Sequence, residues 1–125
     1  MRRAHGLVGL LFLIVFPLTG AYMRMQEVSE MDPGPRMMFR ASHLYLLFAG
    51  LLNLLAFSSV DPELERGRLR QLGSALLLLA PFVLLAGFAL EPAEMDVTRP
   101  VSRWGIYGAA LGSVLLAWPR RRRKD

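Results

Sequence analysis

The chain has 125 residues, 54% of them apolar, no cysteine and a formal charge of +5. With a mean hydropathy of +0.36, this composition excludes an ordinary soluble domain, and the lack of cysteine excludes a disulfide framework, a thiolate metal site and a cysteine nucleophile. The basic residues flank apolar runs instead of lining one accessible face, so the charge points to membrane orientation and away from nucleic acid.

Four apolar runs, at 5–23, 41–59, 70–90 and 101–118, approach the roughly 20 residues that cross a bilayer as a helix. The first follows Arg2 and Arg3 and ends in Pro17, Thr19, Gly20 and Ala21. That pattern also fits a secretory signal cleaved after Ala21, but the matching segment around Gly73 and Pro81 lies mid-chain, which favours a retained helix. A polar segment follows, with Glu27, Glu30 and Asp32 ahead of Arg36 and Arg40. In the second run, 100° per residue places Ser42, His43, Ala49, Gly50 and Asn53 on one arc and Leu44, Phe48, Leu51, Leu52 and Leu55 on the other. The first arc is expected to face protein and the second lipid. Asp61-Pro62 with Glu63 and Glu65 reads as a helix-capping turn before the third run. After that run come Glu91, Glu94 and Asp96, then Arg99 and Arg103, the fourth run and a basic tail.

The segment E-x-x-E-M-D occurs at Glu27–Asp32 and again at Glu91–Asp96, an offset of 64 that also pairs Arg2 with Arg66, Gly9 with Gly73, Leu13 with Leu77 and Pro17 with Pro81. We read a tandem duplicated helical hairpin within one integral membrane domain, 1–125, with repeat 1 at about 2–60 and repeat 2 at about 66–119. Two helices per repeat return the chain to its starting side, so the repeats are parallel and not inverted. Small residues recur at heptad spacing: Gly6–Gly20 through Leu13, Ala49–Ala56 after Ser42, Gly73–Ala80–Gly87, and Gly105–Gly112, the last overlapping a GxxxG at Gly108–Gly112. Such seams let backbones approach closely in lipid, and a seven-residue period implies a left-handed crossing of about 20°. The expected fold is therefore an all-α membrane protein, a left-handed four-transmembrane-helix bundle. Pro17 and Pro81 should bend their helices.

Ten basic residues lie beside one set of helix ends (Arg2, Arg3, Arg66, Arg68, Arg70, Arg120–Arg123, Lys124) and five beside the other (Arg24, Arg36, Arg40, Arg99, Arg103). The positive-inside rule then puts both termini in the cytoplasm, and a bacterial inner membrane is the expected location. Tyr22, Tyr45, Trp104 and Tyr107 fall near the outer interface and Trp118 near the inner one, where amphipathic rings belong.

Candidate chemistry is sparse. Glu27, Glu30, Asp32, Glu91, Glu94 and Asp96 could surround a hard cation if both acidic pairs, at i and i+3 of a helix, converged on one axis; pairing with the nearby arginines is the competing expectation. Five of the seven methionines (Met23, Met25, Met31, Met37, Met38) lie in the outer segment between the first two helices, and thioethers suit Cu(I) or serve as flexible apolar filler. His43 and Asn53 could hold a haem or another cofactor, or bond across helices. His5 is expected at the opposite membrane surface from His43, so two histidines of one chain would not share a haem. An axial pair from two chains would. No nucleophile-base-acid arrangement, P-loop, dinucleotide fingerprint or H-E-x-x-H occurs.

In size and helix number the chain resembles the small multidrug resistance transporters. That family carries a membrane-embedded glutamate in its first helix, whereas residues 7–22 here contain no acid. The reading is a non-enzymatic accessory or structural subunit working through its outer face, with the bilayer and a homo-oligomer or larger membrane complex as partners. A small oligomeric transporter or channel and a haem- or metal-binding membrane protein are the alternatives.

Overall fold

The computed structural model describes residues 1–59, 67–94 and 98–118, the side chains of 93 and 94 excepted. The Asp61-Pro62 turn, Met95, Asp96, the Glu94 carboxylate and the basic tail lie outside the described residues. Within them the chain is all-helical: α1 (Arg2–Met25), a 3₁₀ turn at Val28–Glu30, α2 (Pro33–Ser59), α3 (Arg68–Glu94) and α4 (Pro100–Ala117). Each pair of consecutive helices is in contact, with α2 and α3 central and α1 and α4 flanking. Both described chain ends lie at one end of the bundle, the terminal end. The α1–α2 and α3–α4 connections lie at the other, the hairpin end.

Three helices are long and apolar enough to cross a membrane, over Arg2–Met25, Pro33–Ser59 and Arg68–Pro92. The fourth expected span is the one that differs. α4 has 18 residues, about 27 Å of helix, and Ser102, Arg103 and Trp104 dilute its first turns. α2 departs from its apolar run in the other direction. It begins at Pro33, so Met37 and Met38, expected in the segment between the first two helices, are helical. Pro33 supplies the fixed φ of a first helical turn, and the Arg36 N–H donates to the Asp32 carbonyl at 3.2 Å to open the ladder.

α1 stops where Glu27 turns into the left-handed region at φ 49°, with the Glu27 N–H on the Arg24 carbonyl at 3.2 Å. Glu27 and Glu30 therefore do not share a helix face as expected. Pro17 and Pro81 sit within continuous helices, but Pro17 is exposed while Pro81 is fully buried.

Small residues set the helix spacing within each hairpin. A Cβ on Gly9 would meet the Leu54 backbone nitrogen at 2.9 Å, and one on Gly50 would meet Phe12 Cβ at 3.1 Å. In the second hairpin, a Cβ on Gly73 would lie 2.9 Å from the Gly112 carbonyl oxygen and one on Gly112 2.7 Å from that of Gly73. Backbones this close gain dispersion contacts that no larger residue permits. Gly87 and Gly105 are similarly crowded by α4 and α3, while Gly108 has only Leu76 O, at 4.0 Å, nearby. The GxxxG thus packs through Gly112, not Gly108.

Between the hairpins, Phe12, Leu46, Ala49, Leu84 and Phe88 form one core toward the hairpin end. Ala56, Leu77, Ala80, Ala109 and Leu116 form a second toward the terminal end. The two arcs of α2 divide as expected, with Ser42, Ala49, Gly50 and Asn53 buried and Leu44, Phe48, Leu51 and Leu55 exposed. Leu52 is the exception and packs against the second core. Leu7 at 71% exposure, Leu44 at 59% and Leu79 at 61% line the outside with large apolar side chains, a surface suited to lipid.

Candidate functional site

Apart from Thr19, the buried polar groups gather into knots at the two ends of the bundle. At the terminal end, His5 of α1, Asn53 of α2 and Ser74 of α3 are each at most 1% exposed. The Asn53 amide nitrogen donates to the Ala49 and Leu77 carbonyls, both at 3.0 Å. Its oxygen must therefore accept, so His5 Nδ1–H donates to it at 2.7 Å. In the neutral ring Nε2 then accepts from the Ser74 hydroxyl at 2.6 Å. This network spans three helices. His5 was placed at this end by the sequence but given no role, because a buried partner on another helix leaves no local signature.

At the hairpin end, the Glu91 carboxylate, 2% exposed, accepts the Ser102 N–H at 2.7 Å on Oε1 and the Ser102 hydroxyl at 2.5 Å on Oε2. Ser102 is the third residue of α4, so a carboxylate from α3 satisfies a donor that α4's own backbone leaves open and meets the positive end of its dipole. Arg99, in the left-handed region at φ 48°, precedes Pro100 and folds its guanidinium back over the pair. Its Nε donates to Glu91 Oε2 at 3.3 Å, and its Nη2 donates to Ser42 Oγ of α2 at 2.5 Å and Ser102 Oγ at 3.3 Å. The guanidinium also lies 5.6 Å from the Tyr45 ring centre, within cation–π range. Gly87 makes room for Ser102, since a Cβ there would lie 2.6 Å from the hydroxyl oxygen.

Glu91 and Arg99 form the one ion pair among the described residues. The other acidic cluster differs: Glu27, Glu30 and Asp32 are exposed and make no ion pair among the described residues. Arg36 donates instead to the Ser29 carbonyl at 3.2 Å. Water already solvates these carboxylates, and exposed pairs gain little. The two acidic segments are thus not equivalent in space. Among the described residues, no three His, Asp or Glu side chains come together as a metal site requires.

His43 and Asn53 belong to different places. Thr19 Oγ1 donates its single proton to the Phe16 carbonyl at 2.9 Å, so its 2.9 Å contact with His43 Nδ1 makes that nitrogen the donor. The imidazole stacks on Phe16 with centres 4.0 Å apart. Nε2 is left with its lone pair, beside Gly20, where a Cβ would lie 3.6 Å away. The methionines separate as well: Met38 is buried and Met23 packs on the first core, while Met25 and Met37 are 80% and 70% exposed.

Between Ser42 and Asn53, about 16 Å of α2 carries Leu46, Ala49 and Gly50 on its buried side. The first core thus separates the two polar knots. Comparison with protein-family models, curated proteins and solved structures gives no match.

Proposed function

We propose that the chain is a non-enzymatic integral membrane protein, an accessory or structural subunit that presents its hairpin end to a partner outside the membrane. The observation that carries this reading is the use of the buried polar groups. His5, Asn53 and Ser74 on one side and Glu91, Arg99, Ser102 and Ser42 on the other bond chiefly to one another across helices. They brace the bundle, and an apolar core separates them. A transporter or channel needs a continuous polar path, which this separation disfavours. The hairpin end displays groups suited to recognition, with Tyr22, Met25, Met37 and Trp104 exposed beside Glu27 and Glu30.

The same reading makes α4 a fourth, short span and both termini cytoplasmic, since Arg2, Arg3, Arg68 and Arg70 cluster at the terminal end. A left-handed bundle of two duplicated hairpins in a bacterial inner membrane is part of this proposal. Gly9 and Gly73 support the duplication, since each meets the second helix of its own hairpin.

The chain contains no cysteine, so single cysteines at Ser29 and Ser59 report sidedness cleanly. An impermeant thiol reagent applied to intact cells should label Ser29→Cys and spare Ser59→Cys; the reverse overturns the orientation. In mildly solubilised native membranes, the tagged chain should migrate within a larger assembly that Trp104→Ala weakens and Leu7→Ala does not. Migration alone, with solute flux into proteoliposomes abolished by Glu91→Gln, would favour a transporter instead.

His43 supports a second reading. Its Nδ1–H is committed to Thr19, which leaves Nε2 in the tautomer that ligates a metal. His43 Nε2 would be the protein atom that holds a haem iron, with the same atom of a second copy as its other protein ligand. The purified protein would then carry a Soret band that His43→Ala removes. Colourless protein without bound metal rejects this alternative.

A further inference from the structure

The terminal end holds two clefts that neither polar knot uses. One, of about 420 Å³, opens between the C-terminal halves of α2 and α4, over a floor of Ala56, Leu77 and Leu116. α4 is drawn onto α3 by the Gly73–Gly112 approach and touches α2 little, while Ala56 and Ser113 are too small to close the gap. The second cleft, of about 410 Å³, lies on the other side of Arg70 and runs past Arg68 to Trp118. Both fall in the size range of ligand sites.

We propose that these clefts hold an anionic phospholipid, with acyl chain in the apolar trough and phosphate on Arg70. Charge complementarity selects this occupant. By sequence, the segments at this end carry ten basic residues, among them Arg2, Arg3, Arg68 and Arg70, against the four acids Asp61, Glu63, Glu65 and Asp125. Arg70 lines both clefts, where a headgroup would sit above a chain lying in either. Its Nη2 donates to the Trp118 carbonyl at 3.1 Å, which fixes the guanidinium while leaving other N–H groups of its five for phosphate oxygens. Exposed Trp118 marks the interfacial depth at which a glycerophosphate lies. Basic pockets between membrane helices select acidic headgroups on these grounds. The proposal rests on the membrane reading above and adds a ligand class and a site to it.

The test is native mass spectrometry of the full chain in mild detergent, titrated with phosphatidylglycerol and phosphatidylcholine of identical acyl chains. Phosphatidylglycerol should bind at least about tenfold more tightly, equivalent to 1.4 kcal/mol. Arg70→Gln should bring the two lipids level, Arg70→Lys should restore part of the preference, and Arg24→Gln, at the opposite end, should leave it unchanged. Ser113→Leu should weaken both lipids by narrowing the trough. Melting in detergent establishes that each variant is folded. Equal binding by the parent chain, a preference that survives Arg70→Gln, or a lipid-free dimer occupying the cleft overturns the proposal. Those outcomes leave the labelling and assembly tests intact, so this inference can fail without the membrane reading failing.

Discussion

Glu27 and Glu91 head the same six-residue pattern and finish in opposite surroundings. Glu27 lies one residue beyond the end of α1's C-cap, in the left-handed region and exposed. Glu91 lies within α3, 2% exposed, and accepts from Ser102 and Arg99. The difference arises from when each helix stops. α1 ends at Met25 and releases its acids to water, whereas α3 runs on to Glu94 and carries the corresponding carboxylate into the start of α4. A carboxylate in water needs no partner. One withdrawn from water must be met by donors, and here a serine and an arginine meet it.

This contrast can be broken most directly at the two glutamates. Glu91→Ala strands Arg99 and reopens the Ser102 N–H, and should cost about 3 kcal/mol, while Glu27→Ala should change reversible unfolding in mixed micelles by less than about 0.5 kcal/mol. Equal effects would mean that the buried carboxylate does not brace α4. Next in size is the seam. Gly112→Leu drives a side chain into the α3 backbone and should cost about 2–3 kcal/mol, with Gly108→Leu nearly silent because its side is open. Comparable losses from both would show that the helices part without penalty.

The knot around Asn53 offers a finer comparison with the one around Glu91. Asn53→Ala removes bonds to His5 and to the Leu77 carbonyl and should cost about 1–2 kcal/mol, typical of polar bonds between membrane helices. Its effect should be smaller than that of Glu91→Ala, because the amide removed carries no charge, whereas Glu91 is the partner of Arg99. A smaller loss than from Asn53→Ala is expected of His43→Phe, which keeps the stack on Phe16 and gives up only the bond to Thr19, about 0.6 kcal/mol. A larger loss would sharpen interest in Nε2 as a ligand atom.

Much of α2 was legible before folding. A 3.6-residue period fixes which residues share a face, and Ser42, Ala49, Gly50 and Asn53 could be placed on the protein side because small and polar residues are disfavoured against lipid. The same reasoning located Gly73, Gly87, Gly105 and Gly112 at helix contacts. It left Gly108 undecided, because GxxxG spacing defines a stripe and not how far along that stripe the neighbouring helix runs. For α4 apolar content was a weaker guide, because its polar first turns carry Ser102 and Arg103.

The sequence by itself determined that this is an all-helical chain with helices long and apolar enough to cross a membrane, because apolar runs of bilayer length set the helices and their periodicity assigns the faces. Tertiary structure decided which polar residues meet. His5 bonds across 48 residues to Asn53 and across 69 to Ser74, and Arg99 reaches across 57 to Ser42. Periodicity is a property of one helix and says nothing about the rotation or height of its neighbour. Those two quantities follow from where glycines allow backbones to close, and they alone turn a polar residue on a buried face into a bonded one.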